Sequence, residues 1–193
     1  MPRTREFNVA RAIDDATRVF WRTGFGDTSI DDLVAGTGVS RYGLYSVFGS
    51  KEGLFLAVLD HYREKVVTAI FGPVEQDDAS LPQIQGYFDA LVRYAARPVG
   101  ARGCLMCNVA VEPAMRDRAI AAKVAGHQNR LRAGFKAALE RACRRGEVRA
   151  GLEIDASADF LTGLASGISL ATRSRMDRGR IANMARLGLA ALH

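Results

Sequence analysis

This 193-residue chain has three cysteines, three histidines and one tryptophan. An odd cysteine count, with nothing marking the chain as secreted, argues against a disulfide framework and makes reduced thiols in a cytoplasm the expectation. His61, His127 and His193 are scattered, and none belongs to a metal-ligand spacing such as HExxH. Cys104 and Cys107 form a lone CxxC. That supplies two of the four ligands of a structural zinc, and no βαβ pattern around it suggests thioredoxin chemistry. No glycine-rich phosphate loop follows a strand. An enzyme is therefore a poor reading, and no metal or cofactor is expected. No apolar run approaches the ~20 residues of a membrane span. The longest, 160–171, contains Thr and Ser and stops at Arg173. The first residues are polar, unlike a signal peptide. No run pairs β-branched enrichment with period-two alternation, so no strand is expected, and no solenoid-length repeat is visible.

What is present is ordinary soluble-protein composition, 48% hydrophobic and 25% charged, with a net charge of +6. The excess is unevenly placed. Residues 1–53 carry seven basic and seven acidic side chains, so the whole surplus lies in 54–193. Bulk charge speaks to solubility and nonspecific contacts, and a nucleic-acid argument must rest on placement. Patterning is helical nearly throughout. Val9, Ala12, Ile13, Ala16, Val19 and Phe20 recur at three- and four-residue steps, and Gly24 and Gly26 end that helix. A short second helix, capped by Thr28 or Ser29 with Asp31 and Asp32 in its first turn, turns Ile30, Leu33 and Val34 to the core. Ser40 caps a third, with Leu44, Val47 and Phe48 at least partly inward, and Ser50 caps a longer fourth. Further helices are expected over 83–97, 104–111, 116–145, 155–175 and 178–192, with an acidic, turn-rich linker at 75–82.

The segment 28–54 prompts the functional reading. Two short helices around a glycine-containing turn, braced by an earlier helix, make a helix-turn-helix. Its second helix lies in a major groove and offers its N-terminal residues to the bases. Those residues are Ser40, Arg41, Tyr42 and Gly43, followed by Tyr45 and Ser46. Arg41 can fork onto guanine or clamp a phosphate, and the hydroxyls suit phosphate oxygens. Gly43 costs roughly 1 kcal/mol against Ala in a helix interior, and its missing side chain fits close approach to another polymer. Arg3 and Arg5 are candidates for an arm in the adjacent minor groove.

The run Gly24-Phe25…Thr28-Ser29-Ile30…Leu33-Val34…Gly38-Val39-Ser40…Leu44-Tyr45…Phe48…Ser50-Lys51-Glu52…Leu54 resembles the DNA-binding region of the tetracycline-repressor (TetR/AcrR) family. The resemblance implies an all-helical, homodimeric, ligand-responsive transcriptional regulator, usually a repressor, with its DNA-binding domain at 1–53 and a divergent ligand and dimerisation domain at 54–193. By position it assigns DNA contacts to Thr28, Ser40, Arg41, Tyr42, Gly43, Tyr45 and Ser46, and a backbone phosphate to Lys51. Tyr42 and Gly43 depart from the small residue and threonine that many members carry, so an operator cannot be carried over from relatives.

In the remainder, Arg102-Gly103-Cys104-Leu105…Asn108…Glu112 resembles a branch of the family's C-terminal domains, in which some members sense electrophiles or oxidants through a nearby cysteine. Cys104 is the candidate thiol, following a cation at a helix start, and Cys107 could resolve its sulfenic acid. A ligand cavity between the middle helices is expected to involve Phe88, Leu91, Tyr94, Cys104, Met106 and Phe135. Gly163, Ser166 and Gly167 give a late helix a side of small residues, and the family's last two helices form its dimer interface. The partners implied are a pseudo-palindromic DNA duplex, a small-molecule or oxidant inducer and a second copy of the chain, with no membrane. The alternative is a helical thiol or ligand sensor, or a sequestering protein, whose DNA motif is vestigial.

Overall fold

The computed structural model describes residues 7–193, so Arg3 and Arg5 lie outside the described residues. Ten α-helices account for most of it, and no strand occurs among the described residues. The first three are α1 (Val9–Thr23), α2 (Ile30–Thr37) and α3 (Arg41–Phe48). Each begins at a side-chain cap. Asn8 accepts from the Arg11 amide, Ser29 and Asp32 exchange bonds in a capping box, and Ser40 accepts from the Gly43 amide. Gly38, with φ of +68°, closes α2 in the left-handed conformation.

The fourth helix, α4 (Lys51–Tyr62), runs through a π-helical stretch, Arg63–Val67, into the short α5 (Thr68–Phe71). A π stretch inserts an extra residue into the helical ladder and rotates everything beyond it. It turns Val66, Val67 and Ile70 towards a cavity. Of the linker expected at 75–82, Glu75 ends a 3₁₀ turn, Gly72–Glu75, residues 76–80 are turn and coil, and 81–82 already belong to the next helix. Beyond it, α6 (Leu81–Ala95) starts two residues earlier than patterning suggests, because Ser80 and Gln83 supply a capping box and Pro82 is tolerated in the first turn.

The brief α7 (Leu105–Val109) begins at Cys104, and α8 (Arg118–Arg144), α9 (Ile154–Arg173) and α10 (Arg178–Ala190) complete the body. Asp117 caps α8 two residues inside the expected start, because Pro113–Arg116 forms a separate 3₁₀ turn. Phe71, Tyr87, Phe88 and Phe135 form an aromatic cluster between α5, α6 and α8. Leu164 of α9 lies against the bare Cα of Gly188 in α10, so these two helices pack closely.

The two halves share one hydrophobic core. Trp21 of α1 is buried edge-on against Tyr62 of α4, with ring centroids 5.0 Å apart, and stacks with Tyr94 of α6. Its indole N–H donates to the Gly103 carbonyl, 3.1 Å away. At the end of α1, the Phe25 amide donates to the Glu112 carboxylate over 2.8 Å. The N-terminal helices are thus tied at two points to the segment around the CxxC.

Candidate nucleic-acid interface and thiol cavity

The outer face of α3 carries side chains that the fold does not use. Tyr42 is 75% exposed, and Tyr45 and Val47 are exposed as well. Ser40, Arg41 and Ser46 are also on the surface. The Ser40 hydroxyl is engaged as the cap, and Ser46 donates to the Gly43 carbonyl. Arg41 pairs with Asp31 at 2.9 Å. Both partners of that pair are exposed, so water screens it and a phosphate or base can compete for the guanidinium.

Three expected contacts sit differently. Thr28 is buried, its hydroxyl donating to the Gly24 carbonyl and lying 2.6 Å from Thr23 Oγ1. Its side chain seals the α1–α2 loop and is not available to DNA. Gly43 faces inward, where an added Cβ would meet Val39 Cγ1 at 2.9 Å and Phe7 Cε1 at 3.5 Å. Its bareness serves packing beneath α3, not approach to another polymer. Lys51 donates to the Phe25 and Thr28 carbonyls, each at 3.0 Å, and lies over the Phe25 ring. The ammonium braces the loop through two of its three N–H groups. Val47, expected at least partly inward, is 47% exposed. The eight-residue α3 is too short for its period to fix which apolar residues turn in.

Behind Trp21 lies the second site, an apolar cavity of about 50 Å³. That holds an ion or a few waters, well short of the ~300–1,000 Å³ that encloses a drug-sized ligand. Leu91, Tyr94 and Cys104 line it. Phe88, Met106 and Phe135 are fully buried core outside the lining, a correction to their assignment as ligand contacts. Ser166 is also on this wall, accepting from Gln128 Nε2 and donating to the Thr162 carbonyl, and so does not join Gly163 on the outer face of α9.

Sequence reading missed His127. It comes from the middle of α8, is 3% exposed, and places Nε2 4.0 Å from Cys104 Sγ. One donor atom from each of Cys104, Cys107 and His127 lies within 4.8 Å of the others. The hydrogen bond from Cys107 holds the Cys104 thiol well below its ordinary range against the cost of burial, and His127 lowers it further. Cys107 is pushed up by that same bond and by burial, while the Ser166 and Ser169 hydroxyls act the other way. Burial raises the Tyr94 phenol to about 12, so it stays neutral beside the thiols. The two thiols are thus biased in opposite directions, Cys104 towards the thiolate and Cys107 towards the thiol, and Cys143, exposed on the far part of α8, takes no part in the cluster. The signal for His127 was its place on the apolar face of α8, three residues after Val124 and four before Leu131, but only the tertiary packing of α8 on α7 brings it to the CxxC.

The rest of the block around Cys104 has a mechanical logic. Gly103 has φ of +63° and an added Cβ would lie 2.7 Å from the Ser169 carbonyl of α9, so glycine alone fits. Buried Asn108 donates to the Arg102 carbonyl, and Glu112 holds the Phe25 amide. The segment therefore spans from α9 to the end of α1.

A helix-turn-helix with a free recognition face, joined to a helical body that encloses a small cavity, defines a one-component DNA-binding regulator. Residues 12–58 match the family model for bacterial regulatory proteins of the tetR family, and residues 80–187 match the tetracyclin repressor-like C-terminal domain. The chain belongs to the TetR family of DNA-binding transcriptional regulators. It is 30% identical over 174 residues to the HTH-type transcriptional repressor ComR of Escherichia coli K12, covering 89% of this chain and 82% of that protein. It is 27% identical over 193 residues to the uncharacterized HTH-type transcriptional regulator YezE of Bacillus subtilis 168, covering all of both. Among solved structures, a cysteine mutant of the TetR-family regulator CifR, complexed with 26-base-pair operator DNA, superposes with a TM-score of 0.88 at 23% identity over 99% of this chain and 100% of that one.

Proposed function

We propose that this regulator is a homodimeric repressor, held on a pseudo-palindromic operator and released when an oxidant or thiol-reactive electrophile reaches Cys104. The reading divides the chain at residue 53, with DNA contact before it and sensing and pairing after it. It places the protein in the cytoplasm, where thiols are kept reduced. Arg41, Tyr42, Tyr45 and Ser46, which share one side of α3, make up the reading face. ComR is named a repressor, and the CifR mutant carries operator DNA; both support the same role for this chain.

The observation that carries the sensing half is the hydrogen bond from Trp21 to the Gly103 carbonyl, one residue before Cys104. A peroxide oxidises the Cys104 thiolate by two electrons to a sulfenic acid and leaves as hydroxide. The Cys107 thiol then displaces the hydroxyl, giving a disulfide and water. A disulfide needs its sulfurs at about 2.05 Å. Drawing them together reshapes the Gly103–Cys104 backbone and with it the anchor of α1. Reduced and oxidised proteins then differ in where the recognition helices sit, and the operator binds the reduced state better.

The test is operator binding by fluorescence anisotropy before and after one equivalent of peroxide, in wild type, Cys104→Ser and Cys107→Ser. Wild-type affinity should fall at least ~10-fold and return with a dithiol reductant, while Cys104→Ser stays bound. Unchanged wild-type binding after oxidation refutes the reading.

A further inference from the structure

We infer that Cys104, Cys107 and His127 form a binding site for one thiophilic metal ion, Zn²⁺ or Cu⁺, in the reduced protein. Three donors of the right type converge on the cavity, one each from the start of α7, its first turn and the middle of α8, all within 4.8 Å of one another. Around zinc, two sulfurs at ~2.3 Å and a nitrogen at ~2.0 Å stand about 3.5–4 Å apart. The Cys104–His127 pair already sits at 4.0 Å, so rotamer adjustments close the remainder.

A second observation comes from the imidazole. His127 is almost fully buried, and its Nδ1 has no hydrogen-bond partner. If Nε2 carries the proton that faces Cys104, Nδ1 is left as a bare lone pair in an apolar wall, which is costly. A metal can take up that lone pair if the ring turns Nδ1 towards the thiols, whereas ligation through Nε2 places the ring proton on Nδ1.

The donor set selects the class of ion. Two sulfurs and an imidazole suit soft or borderline ions. No carboxylate lines the cavity, which excludes the oxygen-rich shells that Ca²⁺ and Mg²⁺ need. Zn²⁺ with two thiolates and a neutral imidazole carries no net charge, an advantage in an apolar surround, and leaves a fourth position for a water beside Ser166 and Ser169. Cu⁺ is satisfied by the three ligands alone. The chemistry is shared, and binding deprotonates both thiols in either case.

This site does not depend on the oxidant reading, and its test reads no DNA. Full-length protein, reduced and stripped with a chelator, is titrated anaerobically with Zn²⁺ against a chromophoric chelator, with Cu⁺ against bicinchoninate, and with Co²⁺ as a spectroscopic probe. One equivalent per chain is expected, with a thiolate-to-cobalt charge-transfer band. Affinity should fall ~10-fold or more in Cys104→Ser, Cys107→Ser and His127→Gln, and hold in Cys143→Ser. Circular dichroism shows which variants remain folded. The conservative serine variants keep the test valid if His127→Gln does not fold. Metal should also shield Cys104 and Cys107, but not Cys143, from alkylation, read by mass spectrometry. Whichever ion wins the competition through these ligands supports the site. It is overturned if neither ion competes at micromolar protein, or if the Cys104→Ser Cys107→Ser double variant binds as wild type does.

Discussion

Tyr42 is the most exposed aromatic side chain on α3, with three-quarters of it open to solvent. Folding gains little from it, so Tyr42→Ala should leave thermal stability within about 0.5 kcal/mol while lowering operator affinity ~10-fold; calorimetry and anisotropy on one preparation separate the two. Gly43 gives the opposite pattern. With Val39 2.9 Å from where a Cβ would be, Gly43→Ala should cost about 1–3 kcal/mol of stability, measured by urea unfolding. Sequence patterning located this helix and its exposed polar residues, because capping and helix length are local properties. It misjudged Gly43 and Thr28, since which way a residue turns in a short helix or loop is settled by the neighbours it packs on. Thr28 fits a groove-facing position in the motif, yet Gly24 and Thr23 take its hydroxyl.

Among the elements, α2 and the turn after α7 hold testable links. Ser29 hydrogen bonds lower the Asp32 carboxyl below its ordinary range. Because the folded value is depressed, the cap is fully present above the ordinary carboxylate range and is lost as pH falls through the lowered value. Amide exchange at Ser29 and Asp32 should accelerate under acid before the core opens, and Asp32→Ala should abolish that pH dependence. The Phe25–Glu112 bond joins residues 87 apart in the chain. No local pattern announces it, and the family-like Asn108 and Glu112 gain a physical role only once the turn is seen against α1. Glu112→Ala strands the Phe25 amide. It should cost about 1–3 kcal/mol and loosen the recognition helices, which appears as weaker operator binding in the reduced protein.

For the whole molecule, pairing of two copies is the feature that a single chain leaves open. Phe160, Leu170 and Leu187 are large apolar side chains on the outer faces of α9 and α10, all about half exposed. Between the first two run Gly163, which faces open space, and Gly167, whose added Cβ would meet only Met184 at 3.7 Å. Gly163→Leu therefore has room within one chain and should leave its fold intact. If this stripe is the two-fold contact, light scattering at micromolar concentration gives a dimeric mass for wild type and a monomeric one for the variant, with operator affinity lost alongside. A dimeric Gly163→Leu protein would place the contact elsewhere. The small-residue stripe was legible because glycine is conspicuous in a helix; Ser166 was misassigned because one position of rotation turns it to the cavity.

Trp21 is the chain's one indole, and it touches Tyr62, Tyr94 and the backbone beside Cys104. The molecule thus carries a built-in optical gauge. Its emission reports on a single position, free of background from other tryptophans, at the joint between the thiol cavity and the first helix. Oxidation, alkylation or metal capture can be followed in unlabelled protein by intensity and wavelength alone, and stopped-flow fluorescence can time the cavity event against departure from DNA.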